Sequence, residues 1–343
     1  MARMTTRTTA VIGAGNWGTA LAKLIADGGN PVRMWAFERE VVEGINGGHE
    51  NPFYLQGVKL PDNLTATGDL AEALHGAEVV LLAPPSHVFR KVLTTGAKHV
   101  PADAPLIIAT KGIEEQSCLI MTEVAAEILG WKAWERTAVL SGPSFAKELA
   151  RGDPTAVSLG CRNLGLAEEL QRFLSGEVLR AYATEDVIGV SLGGAVKNVI
   201  AIAVGAATGL GLGHNSRAAL MTRGIAEVTR LVLQRGGNAL TLAGLSGIGD
   251  LVLTCTSELS RNRTVGEALG RGEKLADWTS KTRQVAEGVH NARSVRQLSQ
   301  RSGVEMPISE LVYRALYEDL PPEQAIGLLM GRTLRHERDD GGK

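Results

Sequence analysis

Short apolar runs alternate with amphipathic stretches through the first half of the chain, and then the alternation stops. Thr8 to Ile12, Val32 to Ala36, Glu78 to Ala83, Leu106 to Thr110, Thr137 to Leu140, Thr155 to Leu159 and Val178 to Tyr182 are brief and apolar, with turn-forming residues between them. That is the pattern of buried strands. Between them, Trp17 to Asp27, Asp69 to Leu74 and about Ser117 to Leu129 place apolar residues at helical spacing, and Gly28-Gly29-Asn30-Pro31 stops the first. Strand and helix in alternation predict a Rossmann-like, doubly wound α/β sheet. From Asp186 onward the spacing is helical, interrupted at Gly211 to Gly213, Gly236-Gly237 and Ser302-Gly303. The expected organisation is a Rossmann-like α/β domain over 1–190, an all-α domain over 191–335, and a disordered tail over 336–343.

One run stands apart. Val187 to Gly213 is almost wholly apolar and carries a single charge, Lys197, followed by Asn198. A membrane helix wants about 20 apolar residues. The stretch after Lys197 is shorter than that and holds Gly205, Gly209, Gly211 and Gly213, so a buried core helix is the better reading and no integral membrane segment is expected. An amine in such surroundings is poorly solvated, which lowers its pKa toward neutrality and suits it to proton transfer.

A second signal precedes the first predicted helix: Gly13-Ala14-Gly15-Asn16-Trp17-Gly18. In a strand–loop–helix context, Gly13 permits a tight turn, Gly15 lets a pyrophosphate approach the backbone, and Gly18 allows close packing. The helix start then offers free N–H groups to phosphate. With Lys197, the loop points to a dehydrogenase in which the lysine handles the proton and a nicotinamide the hydride. After strand two comes Phe37-Glu38-Arg39. A carboxylate there accepts from ribose hydroxyls and repels a 2′-phosphate. Glu38 therefore favours NAD, whereas Arg39 turned inward would favour NADP.

Composition narrows the partners. The 343 residues carry a net charge of −1, which gives no electrostatic case for nucleic acid or acidic lipid. Three dispersed cysteines, Cys118, Cys161 and Cys255, form no zinc or disulfide framework, as in a reducing cytoplasm. No metal is expected, because no His, Asp or Glu cluster has ligand spacing.

The motifs together resemble the NAD(P)-dependent glycerol-3-phosphate dehydrogenase family over nearly the whole chain. The resemblance rests on Gly13 to Ala22, His49-Glu50-Asn51, Pro85-Ser86-His87, Thr110-Lys111-Gly112, Ser141 to Ala146, Gly193 to Asn198, Gly247 to Leu251 and Ser260 to Arg263, in that order. It implies interconversion of sn-glycerol 3-phosphate and dihydroxyacetone phosphate with NAD or NADP, supplying glycerophospholipid synthesis. It also implies a cytoplasmic homodimer with a helical domain like that of 6-phosphogluconate dehydrogenase. By position it implies that Asn16, Trp17, Lys111, Ala146, Arg261, Val285 and Glu287 touch the cofactor. Lys111, Gly142, Ser144, Lys197, Asn198, Asp250, Ser260, Arg261 and Asn262 would line the substrate site, with Lys197 as proton acceptor. Two departures matter: Asn16 stands where most bacterial members carry serine, and Phe37-Glu38 stands where many carry an arginine suited to NADPH. NAD is therefore favoured.

The residues support this chemistry in their own right. Lys111, just past a predicted strand, can polarise a substrate oxygen and lower the pKa of Lys197 by repulsion. Asp250, after Gly247-Ile248-Gly249, can orient the Lys197 amine, though close contact would oppose the desolvation effect. Ser260-Arg261-Asn262 offers a guanidinium and short donors to a phosphate, with Arg263 expected on a solvated face. His87 is the rival proton carrier. A 3-hydroxyacid or ketopantoate-type dehydrogenase, taking a carboxylate in place of phosphate, and a non-catalytic nucleotide sensor are the competing readings.

Overall fold

Eight short strands form one sheet in the computed structural model, which describes residues 6–280, 286–334 and 336–337. They are β1 (Thr9–Ile12), β2 (Val32–Trp35), β3 (Leu64–Thr67), β4 (Val79–Leu82), β5 (Leu106–Ile108), β6 (Thr137–Ser141), β7 (Thr155–Cys161) and β8 (Leu179–Thr184). The order is β3-β2-β1-β4-β5-β6-β7-β8. Every adjacent pair is parallel except β6 with β7. All residues of β1, β4 and β5 are buried, as strands covered on both faces should be. The strand order reverses between β1 and β4, and a doubly wound sheet opens a crevice at the carboxyl ends of its strands at such a point.

Among the elements not anticipated in this half are the strand β3 and the helix Arg39–Gly48. β3 is an edge strand of only four residues whose side chains alternate between buried and open positions, so it gives no apolar run. Consequently the run around Glu78 to Ala83 is the fourth strand, not the third, and Lys111 follows the fifth. The helix Arg39–Gly48 buries only Val41 and Ile45 and holds three glycines, which blurs its periodicity.

The chain divides into two compact units: Met1–Thr110 with Met121–Val187, and Lys111–Ile120 with Ile188–Lys343. A single division near 190 did not foresee that Lys111–Ile120 belongs with the helices. The second unit is built on helix Val187–Gly209, in which every residue from 189 to 202 is buried. Its glycines are packing devices. An added Cβ would lie 2.1 Å from the Arg263 carbonyl oxygen at Gly205 and 2.2 Å from that of Glu267 at Gly209. On the facing helix, Arg261–Gly270, it would lie 1.9 Å from the Ile202 oxygen at Gly266 and 2.3 Å from that of Ala206 at Gly270. Two small–x–x–x–small stripes thus bring the helix backbones into contact. Val187–Gly209 and Ala239–Thr256 are long and apolar enough to cross a membrane by length and composition, but 83% of the apolar window of the first is buried. The second is a short helix, a π turn (Leu245–Gly249) and another short helix, with buried Asp250 inside it.

Candidate active site

The glycine loop of the sheet unit separates three roles for one residue type. Gly13 has φ +112°, and a Cβ there would lie 2.8 Å from the Pro84 nitrogen in the loop after β4. At Gly18 a Cβ would lie 2.0 Å from the Gly13 oxygen. At Gly15 it would meet nothing within 4 Å. Two glycines are therefore fixed by packing, and the third faces open space at the N-terminus of helix Asn16–Asp27. That helix start has no side-chain cap and no acidic residue in its first turn. The Trp17 indole nitrogen is buried with no hydrogen-bond partner among the described residues.

The loop is braced from His49-Glu50-Asn51. Asn51 is 1% exposed, and its amide donates to the Ala14 carbonyl (2.9 Å) and the Thr19 hydroxyl (3.0 Å). Asn16 accepts from the Leu55 backbone N–H at 2.8 Å, so its side chain braces the same segment. At the end of β2, the Tyr54 hydroxyl donates to the Glu38 carboxylate at 2.8 Å. Arg39 is engaged with Glu43 at 2.7 Å on the exposed face of its helix. Phe37 is 84% exposed, a flat apolar ring at the strand end. Gly142 has φ +150°, and a Cβ there would lie 2.9 Å from the Val157 Cα, while Ser144 donates to the Gly142 carbonyl at 2.9 Å. Ala146 opens the short helix that packs on Asn16–Asp27. His87 lies exposed in the first turn of helix Ser86–Gly96, in the sheet unit, whereas the lysines and Asp250 belong to the helical one.

In the helical unit, one carboxylate holds two amines. Asp250 accepts from Lys197 on Oδ1 (2.8 Å) and from Lys111 on Oδ2 (2.7 Å). Lys197 also donates to the Thr254 hydroxyl at 2.6 Å. Glycines make this approach possible: a Cβ at Gly193 would lie 2.5 Å from the Ser246 carbonyl oxygen, and one at Gly247 2.1 Å from that of Leu242. The π turn they pack delivers Asp250 beside the core helix, and such turns recur at functional sites. Lys197 is 8% exposed. Burial brings its amine down from the usual lysine value to about 8, against the pull of Asp250 and with help from the charge of Lys111. Burial pushes the Asp250 carboxyl up, but the two ammonium groups reverse this and hold it below its ordinary value. Asp250 is therefore in direct contact, and desolvation still wins at Lys197.

The third cluster surrounds the start of helix Arg261–Gly270. Ser260 caps it by accepting from the Arg263 N–H at 3.2 Å. Arg261 is exposed in its first turn, within the electrostatic influence of Glu287. Asn262 and Asn198 are tied into a buried chain: Asn262 donates to Asn198 (2.8 Å) and accepts from the Gly288 N–H (2.8 Å). Gly288 is glycine because a Cβ would lie 2.5 Å from the Asn198 carbonyl oxygen. These amides keep little free capacity and chiefly hold the cluster together. Arg263 is not on a solvated face; its side chain is 12% exposed and lies 3.6 Å from Glu267. Val285 lies outside the described residues.

Sequence reasoning missed Thr254 and Tyr54, and it gave Asn51 only as part of a matching segment, with no role. Thr254 was legible in principle, since it follows Asp250 by one helical turn. The bracing by Asn51 and Tyr54 depends on a loop whose Leu55 is left-handed (φ 59°), and no short pattern announces that.

Comparison with known proteins agrees with this geometry. Residues 8–167 match the model of the NAD-dependent glycerol-3-phosphate dehydrogenase N-terminus, and 186–327 that of its C-terminus. A glycerol-3-phosphate dehydrogenase, NAD(P)+, from Myxococcus xanthus is 50% identical over 95% of this chain and 98% of its own. One from Anaeromyxobacter sp. strain K is 49% identical over the same shares. The crystal structure of glycerol-3-phosphate dehydrogenase from Coxiella burnetii is 42% identical, with a TM-score of 0.91 over 95% of this chain and 99% of that one. With both halves matched and half of all residues shared, the chain belongs to the NAD-dependent glycerol-3-phosphate dehydrogenase family.

Proposed function

We propose that the chain interconverts sn-glycerol 3-phosphate and dihydroxyacetone phosphate, using NAD in preference to NADP, and so feeds glycerophospholipid synthesis. The observation that carries the mechanism is the buried Lys197 amine, held by Asp250 and brought down to about 8.

The cradle fits a dinucleotide on its own features. Gly15 leaves room for backbone approach, the helix start carries no side-chain cap, and the Trp17 indole N–H has no partner among the described residues. Gly13, Gly15, Asn16, Trp17 and Gly18 would hold the pyrophosphate, Phe37 the adenine and Glu38 the ribose, with Ala146, Lys111, Arg261 and Glu287 completing the set. NAD is favoured because Tyr54 holds Glu38 while Arg39 is occupied by Glu43. A nicotinamide held there would supply hydride transfer to and from the secondary carbon.

The remaining steps belong to the protein. Neutral Lys197 takes the hydroxyl proton as the alcohol is oxidised, and its ammonium protonates the forming alkoxide in reverse. Lys111 polarises the same oxygen and favours the neutral form of Lys197. Asp250 and Thr254 fix the direction of the lysine's proton. Arg261 sits at a helix start, where the dipole disfavours a cation. Its charge therefore serves a ligand better than it serves the helix, and with the backbone N–H groups there it binds the phosphate. Ser260, Asn262 and Asn198 support that site, and by the family resemblance Gly142 and Ser144 belong to the substrate-binding set.

Cytoplasmic location and a homodimer follow from the family resemblance, and sedimentation at working concentration tests the dimer. The deciding assay is reduction of dihydroxyacetone phosphate with NADH and NADPH in parallel, with ketopantoate as control. Turnover with the phosphate substrate, lost about 100-fold or more in Lys197→Ala while dinucleotide binding persists, is the expected result. Turnover with ketopantoate alone, or binding without turnover, would defeat the proposal.

A further inference from the structure

We propose that helix Glu287–Ser302 positions Lys111: a stripe of its side chains, Arg293, Gln297 and Arg301, grips successive residues of Lys111–Ile120 and holds the Lys111 amine on Asp250. This rests on the reading of Lys197, Asp250 and Lys111 as the reacting centre.

The segment leaves the sheet unit at Lys111 and returns to it after Ile120. Between those points it folds as a tight hairpin. Ile113 bridges Ile120 in antiparallel fashion, and the Glu114 N–H donates to the Leu119 carbonyl at 2.9 Å. Ile113, Cys118 and Ile120 are buried. Two residues adopt left-handed backbone although neither is glycine: Gln116 at φ 67° and Cys118 at φ 61°. Such backbone is uncommon outside glycine and persists only where the surroundings over-determine it.

The surroundings here are specific. Arg293 lies 3.9 Å from Glu115, the Gln116 N–H donates to the Gln297 side-chain oxygen at 2.9 Å, and Arg301 donates to the Ser117 carbonyl at 3.1 Å. Residues 293, 297 and 301 are spaced by four, which puts them along one helix face. Their partners, 115, 116 and 117, are consecutive. From helix His214–Gln234, Arg235 just beyond its end reaches the Cys118 carbonyl at 3.5 Å. A long, flexible lysine placed on a buried carboxylate must lose its freedom, and a fixed backbone lessens that loss. The grip supplies the fixed backbone four residues from Lys111.

Loosening it has a consequence that simple destabilisation lacks. The charged or titratable groups acting on Lys197 are Asp250, Lys111 and Cys255. If Lys111 drifts away, the cation that lowers the Lys197 pKa is lost and Asp250 is left to raise it. The pH profile should therefore move alkaline. A merely structural role would leave it in place.

The test uses the full chain with Gln297→Ala/Arg301→Ala, and Arg301→Lys as the conservative variant, all checked by thermal melting. Glycerol 3-phosphate oxidation is followed across pH, and a crystal structure of the double variant is determined. We expect kcat to fall about tenfold with KM for NAD unchanged, as misplacement of a catalytic group by a fraction of an ångström would produce. The rising limb should shift alkaline by about half a unit, with most of kcat retained in Arg301→Lys. A folded double variant with wild-type kcat and profile overturns the proposal, as does a crystal structure with Lys111 still hydrogen-bonded to Asp250. An inactive wild-type chain would instead remove the proposed function, and the crystal structure would still decide the grip.

Discussion

The glycine cradle and the lysine cluster solve opposite problems. The cradle is made almost wholly of backbone: Gly13, Gly15 and Gly18 lie within six consecutive residues, and what they provide is the absence of side chains. The cluster is made of side chains drawn from positions 111, 197, 250 and 254, and it works because water is excluded from them. A site that needs space can be written locally. One that needs a shifted amine requires a core around it, and that core has to be folded from distant segments.

The largest effect should come from the shared carboxylate. Asp250→Asn leaves the buried Lys197 amine and the half-buried Lys111 amine without a counter-charge, which costs about 3–5 kcal/mol in a chemical-denaturation experiment. Because Asp250 raises the Lys197 pKa, surviving activity should show its rising limb displaced below the wild-type position. An unchanged midpoint of unfolding would mean that the cluster is wetter than described.

Glycines sharpen the contrast next. Gly266→Ala places a methyl group 1.9 Å from the Ile202 carbonyl oxygen and should lower stability by about 3 kcal/mol through forced separation of two helices. Gly15→Ala meets no atom of the described residues within 4 Å, and its φ of −69° suits alanine, so melting should stay near wild type while NAD affinity drops. Equal melting of the two variants would contradict the distinction between packing glycines and ligand-facing ones.

What could be read in the sequence follows the same line. The loop at Gly13 to Gly18, the central strands and the buried helix around Lys197 were visible because each signal is confined to one segment. β3 was hidden, since an edge strand with two inward residues makes no apolar run. The transfer of Lys111–Ile120 to the helical unit was hidden as well, because the contacts that hold it lie at 293, 297 and 301. The use of Asn198 and Asn262 as buried cross-ties rather than open donors could not be seen from composition, as an amide suits either role.

Smaller effects are expected at the end of β2. Glu38→Ala should raise the NADPH-to-NADH activity ratio by removing a charge that repels a 2′-phosphate. Tyr54→Phe removes one hydrogen bond to that carboxylate, worth about 1 kcal/mol, and should move the ratio by about fivefold or less. A ratio that moves in neither variant would detach cofactor choice from this strand end.

The account depends most on the proton carried by Lys197, and the pH dependence of kcat/KM reads it directly. Glycerol 3-phosphate oxidation needs the neutral amine and should rise with pH through about 8, while dihydroxyacetone phosphate reduction needs the ammonium and should fall through the same value. Both limbs should vanish in Lys197→Ala along with most of the turnover. Limbs that persist unchanged in that variant would show that another group carries the proton.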